Sequence, residues 1–285
     1  MMNEILGDFI GKFVEVYVDD IIIYSEDNED HIMHLTRVLE ALNKVNLKLS
    51  LEKSKFFQKE VKFLGHLVSE EGIKPDPKKV EAVRDFPVPI NLKELRGFLG
   101  LASYYRKFIE KFSSLAKPLN LLLKKDAKYN WSKECQKAFE TLKMKLMSAP
   151  VLRHPDFSKP FFISTDASGT GLGAVLAQKD EKNREYVIEY ASKGLQKAQE
   201  NYSAQELECL AVIWAIEHFY PYVGISKFYL LTDNSAMTWL HTSELKGRRG
   251  RWISKLQPYN FEIKHRSGKK NTNADALSRI PINGY

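Results

Sequence analysis

The stretch FFISTDASGTGLGAVLAQ, residues 161–178, carries the clearest fold signal in this sequence of 285 residues. Residues 161–165 form an apolar run typical of a buried β-strand, and the run ends at Asp166. The glycine-spaced residues 169–178 predict a strand pair that continues the sheet, and residues 186–190 predict a further strand. Because a buried run normally avoids charge, Asp166 is a candidate functional residue.

The residues that follow alternate between helical and strand patterns. Ser203 and Glu206 have the spacing of a capping box, which predicts the start of a helix. Residues 228–231 form an apolar run that is followed closely by Asp233. The remaining predicted elements are a helix from residue 235, a basic helix over 246–255, a strand over 261–263 and a helix over 273–278. This order of elements predicts a mixed α/β sheet with flanking helices.

Helical signals also dominate residues 74–150. Asp76 before Pro77 is an N-cap followed by a proline at the first helical position. Asn91 and Glu94 have the spacing of a second capping box. This part of the chain is therefore predicted to be a mostly helical connector with basic polar faces.

The N-terminal part predicts a β-hairpin with an acidic tip. Residues 14–18 and 21–24 are rich in β-branched and aromatic side chains, and Asp19 and Asp20 lie between them. An apolar stripe over residues 35–45 then predicts a helix, and residues 56–73 predict short strands.

Composition limits the class of protein. Hydrophobic residues make up 44% of the chain, which is enough to build packed cores, and two cysteines exclude both a disulfide framework and a cysteine-rich zinc module. The N-terminus lacks the pattern of a signal peptide, and the apolar runs are too short to cross a bilayer. We expect a soluble intracellular protein, cytoplasmic or nuclear.

The net charge of +7 is distributed unevenly along the chain. Residues 1–73 hold 8 basic and 14 acidic side chains, whereas residues 74–150 hold 17 and 8. Residues 246–285 hold 10 basic and 2 acidic side chains. Alternating basic and acidic zones are typical of a polyanion-binding protein that also concentrates carboxylates for metal. Two ordinary solvated basic faces would account for the charge equally well.

Four acids of the C-terminal part occupy positions at which carboxylates could converge. These are Asp166, Glu208, Asp233 and Asp275. Two magnesium ions about 4 Å apart require such a set of hard oxygen ligands. A helix-capping role for Asp233 is an alternative, and Glu206 is already explained as the capping-box partner of Ser203.

A series of motifs resembles the reverse transcriptase and RNase H region of Gypsy-type LTR retrotransposons, in the order that the family has them. The first two are Tyr17-Val18-Asp19-Asp20, similar to the YxDD box, and Phe63-Leu64-Gly65-His66, similar to the primer-contacting segment. Residues 95–109, which run from LRGFLGL to YYRKFI, are similar to the thumb region. Three further motifs are similar to the RNase H domain: Thr165-Asp166-Ala167-Ser168, Thr232-Asp233 and Ala274-Asp275-Ala276-Leu277-Ser278. The resemblance covers essentially the whole chain.

The resemblance implies three domains. A partial reverse-transcriptase palm would span residues 1–75, a helical thumb and connection would span 76–150, and an RNase H domain would span 151–285. It also implies that Asp166, Glu208, Asp233 and Asp275 are the acidic tetrad that ligates metal. Glu208 is preferred to Glu206 because the family's helix has the pattern Glu-x-x-Ala, which fits Glu208 and Ala211.

His265 lies ten residues before Asp275, where cellular RNases H place a mobile histidine, and we expect a catalytic role for it. A surface histidine at a strand end is the alternative. Candidate nucleic-acid contacts lie on the basic helix, where a merely solvated basic face is the alternative. They are Lys246, Arg248, Arg249 and Arg251, with Trp252 as a candidate stacking surface.

The implied activity is cleavage of the RNA strand of RNA–DNA hybrids by two-metal hydrolysis, with Mg²⁺ as the expected ion and Mn²⁺ as a substitute. The expected partners are RNA–DNA hybrid and primer–template nucleic acid, and no membrane. A missing polymerase part or other Pol products are further candidate partners, and a retroelement particle is a further expected location. Polymerases of this family also need a third carboxylate from an earlier palm strand, which we do not find before Asp19 and Asp20, so we expect no DNA polymerisation by this chain alone. The alternatives are a decayed or co-opted fragment that binds nucleic acid without catalysis and, more remotely, an integrase-like nuclease.

Overall fold

The computed structural model describes residues 2–232 and 247–265, with the side chains of residues 247–249 and 265 left undescribed. The chain divides into a first unit, Met1–Glu70, and a second unit, Glu71–Tyr285. The predicted boundaries at residues 75 and 150 remain predictions.

The first unit contains the predicted acidic hairpin. After a short helix α1 (Met2–Ile5), strands β1 (Val14–Tyr17) and β2 (Asp20–Ile23) pair in antiparallel fashion. Tyr17 pairs with Asp20, so Val18 and Asp19 form a two-residue turn, and Val18 has the positive φ of 54° that such turns require. The structure thereby confirms the predicted hairpin with aspartates at its tip.

Helix α2 (Asn28–Lys44) packs on this hairpin through Val38 and Leu42. Its predicted apolar stripe is wider than the buried one, since Leu39 and Val45 are 38% and 48% exposed. Among the described residues of the small first unit, the hairpin packs against one side of the helix, and these two residues lie outside that contact. A second antiparallel hairpin, β3 (Glu60–Phe63) and β4 (His66–Ser69), completes the unit.

The second unit begins with a strand, which is followed by a series of helices. The capping residues predict where these helices start. Asp76 caps one helix with Pro77 in its first turn, Asn91 accepts a hydrogen bond from the Glu94 amide, and Ser132 caps the last. The elements are β5 (Gly72–Pro75), α3 (Pro77–Arg84), α4 (Leu92–Tyr104), a 3-10 turn (Arg106–Phe108), α5 (Phe112–Leu115), α6 (Lys117–Leu121) and α7 (Lys133–Met147).

These helices share a core with the sheet that follows them. Phe98 of α4 packs against Phe86 and Phe139, with ring centroids 5.5 and 4.6 Å apart. The same cluster includes the buried Tyr190, which lies in the sheet. The helical segment and the sheet are therefore parts of one packed unit, on both sides of residue 150.

The sheet has five strands in the order β10-β9-β6-β7-β8. They are β6 (Phe161–Ser168), β7 (Gly171–Lys179), β8 (Glu185–Gly194), β9 (Phe228–Thr232) and β10 (Phe261–His265). β7 is antiparallel to β6 and β8, whereas β9 is parallel to both β6 and β10. The predicted mixed sheet is confirmed, but residues 171–179 form one strand and not a strand pair, because both neighbours pair along most of its length.

Helix α8 (Ala204–His218) covers one face of this sheet. Its buried residues Val212 and Ile216 join Phe161, Ile163 and Phe228 in one apolar cluster. Two further helices, α9 (Tyr220–Val223) and α10 (Gly247–Leu256), follow in the described chain. Within residues 2–232 and 247–265, none of the helices has the length and apolarity needed to cross a membrane.

Gly72, the first residue of β5, lies close to the backbone of Leu152 in the segment after α7. A Cβ at this position would lie 2.1 Å from the carbonyl oxygen of Leu152, and the φ of Gly72 is +134°. Gly72→Ala should therefore destabilise the second unit by about 2 kcal/mol or more, because both the contact and the backbone conformation disfavour a side chain. Thermal and urea unfolding of the purified chain measure this loss.

Gly100→Ala is the matched control, since a Cβ at Gly100 meets nothing within 4 Å and the residue lies inside α4. It should leave stability unchanged or raise it by about 0.5–1 kcal/mol. Equal effects of the two substitutions would contradict the close approach at Gly72.

Candidate active site

Asp166 lies near the end of β6, the central strand of the five. Its side chain is 51% exposed, although the strand before it is almost entirely buried. Its cross-strand neighbour on β7 is Gly173, which has no side chain to cover the carboxylate. The central strand therefore presents one accessible carboxylate at its C-terminal end.

Glu208 lies on α8, the helix that packs directly against β6. The helix begins with a capping box, in which the Glu206 carboxylate accepts a hydrogen bond from the Ser203 amide at 3.0 Å and Ser203 Oγ accepts one from the Glu206 amide. The structure thus confirms Glu206 as the capping partner. Glu208 is half-buried and lies two residues further along the helix.

The ends of β9 and β10 lie at the same edge of the sheet as Asp166. β9 runs parallel to β6 and ends at Thr232, and His265, the last residue of β10, pairs with Thr232. Asp233 follows Thr232 in the sequence but lies outside the described residues, as do Asp275 and Lys246. The backbone of His265 is therefore at the predicted edge, and nothing further is described for this residue.

Lys111 forms an ion pair with Asp166, with 2.7 Å between Nζ and Oδ2. The hydrogen bond and the charge of Asp166 raise the pKa of the Lys111 ammonium against the opposing effect of partial burial. Lys111 belongs to the helical connector, directly before α5, and sequence reasoning missed it. A positive charge far upstream in the chain gives no sequence signal for a contact with a strand end.

The basic helix α10 contains the predicted contacts Arg248, Arg249 and Arg251, of which the side chain of Arg251 is exposed. Trp252 requires a correction, because it is only 9% exposed and packs in the core beneath the helix. Its ring lies 6.2 Å from that of Tyr202. We assign Trp252 to the apolar face of an amphipathic helix in place of the predicted stacking surface.

Asp19 and Asp20, the predicted polymerase remnant, are exposed at the tip of the hairpin in the first unit. A turn holds both side chains in solvent. Their position agrees with the predicted hairpin, and their role stays a prediction.

The donor chemistry of the site fits a divalent metal. Asp166 and Glu208 supply carboxylate oxygens, the ligands that Mg²⁺ prefers, and Asp166 already attracts a cation. Among residues 2–232 and 250–264, however, no group of three or more acidic, histidine or cysteine side chains is gathered closely enough to hold an ion. Two of the four predicted ligands lie outside that part of the chain.

Trp252→Ala tests the corrected role of the indole. Removal of a buried tryptophan should lower the free energy of unfolding by about 3–5 kcal/mol, because a cavity forms beneath α10. Arg251→Ala, one residue away and exposed, should change it by less than about 0.5 kcal/mol. Chemical denaturation followed by circular dichroism compares the two variants, and a stable Trp252→Ala protein would argue for an indole free to stack.

Two family comparisons match different parts of this chain. Residues 1–68 match the family described as reverse transcriptase (RNA-dependent DNA polymerase), and residues 131–230 match the RNase H-like domain found in reverse transcriptase. The second match contains Asp166, Glu206 and Glu208.

Relatives with related sequences are transposon polyproteins. The chain is 42% identical over 294 residues to the retrovirus-related Pol polyprotein from transposon opus of Drosophila melanogaster, and 43% identical over 284 residues to the Tf2-3 polyprotein of Schizosaccharomyces pombe. These alignments cover 99% and 98% of this chain but only 29% and 21% of the polyproteins. The chain therefore spans less than a third of these relatives.

Solved structures share the fold at low sequence identity. The foamy viral protease-reverse transcriptase in complex with dsDNA aligns with a TM-score of 0.78 and 23% identity, over 94% of this chain and 57% of that protein. The same protein in complex with RNA/DNA hybrid aligns equally well, over 37% of its chain. This chain therefore has a reverse transcriptase and RNase H-like fold, and its sequence is similar to the part of retrotransposon Pol polyproteins that carries the reverse transcriptase and RNase H-like domains.

Proposed function

We propose that this chain is the RNase H-bearing part of a Gypsy-type Pol polyprotein and that it cleaves the RNA strand of RNA–DNA hybrids. The observation that carries the proposal is the exposed carboxylate of Asp166 at the end of the central strand, with Glu208 on the helix packed against that strand. The end of β9 lies at the same edge, and Asp233 is the next residue in the chain.

Asp166, Glu208, Asp233 and Asp275 would hold two divalent ions, Mg²⁺ or Mn²⁺. When bound, the ions supply an activated water and offset the charge that develops on the scissile phosphate. The protein's own contribution is to fix the carboxylates on a rigid strand and a buried helix. His265, at the end of β10, would move a proton or assist product release. The products would carry a 5′ phosphate and a 3′ hydroxyl.

The substrate would be held through phosphates and 2′-hydroxyls, which distinguish a hybrid from duplex DNA without reading base edges. Arg251 is exposed on α10, and Arg248 and Arg249 lie on the same helix. Residues 246–285 carry 10 basic and 2 acidic side chains, which suits contact with a polyanion. The neighbouring fold solved with RNA/DNA hybrid supports this class of partner.

Cleavage of a labelled RNA–DNA hybrid by the purified chain, with and without Mg²⁺, tests the proposal. Asp166→Asn and Glu208→Gln should each lower the rate constant of cleavage by at least about a hundredfold, because each removes a charged ligand for metal. Glu206→Gln is the matched control on the same helix. Because Gln keeps an acceptor oxygen for the Ser203 amide, it should change the unfolding free energy by less than about 0.5 kcal/mol and leave cleavage within about twofold.

Cleavage that survives Asp166→Asn would contradict the proposal. Hybrid binding that weakens steeply with salt, in the absence of any hydrolysis, would favour the alternative of a non-catalytic nucleic-acid-binding fragment.

A further inference from the structure

The ion pair between Lys111 and Asp166 links the helical connector to the proposed metal site. Lys111 has a positive φ of 56°, a conformation that costs energy for a residue with a side chain. Such a conformation persists where surrounding contacts fix the chain.

The segment around Lys111 is anchored to the sheet on both sides of the lysine. The Arg106 guanidinium donates a hydrogen bond to the Ser192 carbonyl oxygen, and the Ser113 amide donates one to Ser192 Oγ at 2.9 Å. Ser114 Oγ lies 3.2 Å from Thr170 Oγ1, in the turn between β6 and β7. The backbone of Lys111 is therefore held beside the end of β6.

The side chain of Lys111 passes beside Gly173 before it reaches the carboxylate. Gly173 pairs with Asp166 on one side and with Ser192 on the other. A Cβ at Gly173 would lie 3.9 Å from Lys111 Cγ, an ordinary van der Waals distance, so the aliphatic stem of the lysine lies against this part of β7.

We propose that Lys111 is a tethered cation that neutralises Asp166 while no divalent metal is bound and that must leave the carboxylate when metal binds. The inference rests on the proposed function only in taking Asp166 to be a metal ligand. A metal ion and an ammonium compete for the same carboxylate oxygen, so Lys111 lowers the affinity of the site for metal. Lys111 is accordingly a positioning residue that sets the metal concentration at which the site fills.

Mn²⁺ alone, titrated into the full chain without nucleic acid, measures this competition through the electron paramagnetic resonance signal of the free ion. Lys111→Met should lower the Kd for Mn²⁺ by about two- to fivefold, the range expected for loss of one exposed ion pair. Lys111→Gln should give the same gain, and Lys111→Arg, which keeps the charge, should stay within about twofold of the wild type. The gain should shrink as salt rises.

Two controls separate a direct contact from a general effect of charge. Lys124→Met removes a charge from an exposed position of the same helical connector and should leave the Kd unchanged. In an Asp166→Asn background, Lys111→Met should no longer alter the residual affinity, because the coupling between the two side chains is lost. Thermal unfolding of each variant verifies that it is folded. Equal Kd values for Lys111→Met and Lys111→Gln would show that the gain comes from loss of the charge and not from a packing defect of one side chain.

An unchanged or higher Kd for both Lys111→Met and Lys111→Gln, an equal gain for Lys124→Met, or no detectable Mn²⁺ binding by any variant would overturn the inference. Hybrid cleavage is scored separately. A lowered Kd without cleavage would support the inference and contradict the proposed function. Asp166-dependent cleavage with no effect of the Lys111 substitutions on the Kd would support the proposed function and contradict the inference.

Discussion

The packing of α8 against β6 is the constraint on which the second unit depends. β6 is hydrogen-bonded on both edges, to β7 and β9, and its residues Phe161 and Ile163 are buried beneath α8. No position on the buried part of such a strand can carry an unpaired charge at acceptable cost. Asp166 is charged and exposed because it lies just where this burial ends. The rigidity of the site and its accessibility thus have one structural origin.

The helical connector is part of this arrangement. Its core includes Tyr190 of β8, and Arg106 and Ser113 bond to Ser192 on the same strand. A segment attached at several points to the sheet can place one side chain with the accuracy that a site requires. Lys111 reaches Asp166 as a consequence of that attachment. The residues before the sheet are therefore structurally involved in the candidate site, and a fragment that began after them would lack this cation.

Sequence patterns predicted the elements that local physics determines. The acidic hairpin, the caps at Asp76, Asn91 and Ser203 and the strand that carries Asp166 follow from turn chemistry, capping and periodicity. The features that were wrong or missed depend on contacts between distant segments. Trp252 is buried because it packs with Leu256 of the same helix and with Tyr202 of the segment before α8, contacts that a basic sequence does not reveal. The contact of Lys111 depends on the hydrogen bonds of Arg106, Ser113 and Ser114 to distant parts of the sheet, for which the sequence has no local signal.

The ion pair between Lys111 and Asp166 relates the uneven charge of the chain to its structure. Residues 74–150 hold 17 basic and 8 acidic side chains, and one of those basic side chains neutralises an acid of the sheet. Carboxylates placed together for metal repel one another while metal is absent, and this repulsion opposes folding. At the proposed metal site, the Lys111 ammonium would offset this repulsion at Asp166 and would lower the affinity for metal. Under the proposed function, stability without metal and affinity for metal are opposing demands on the same carboxylate, and the position of Lys111 would be a compromise between them.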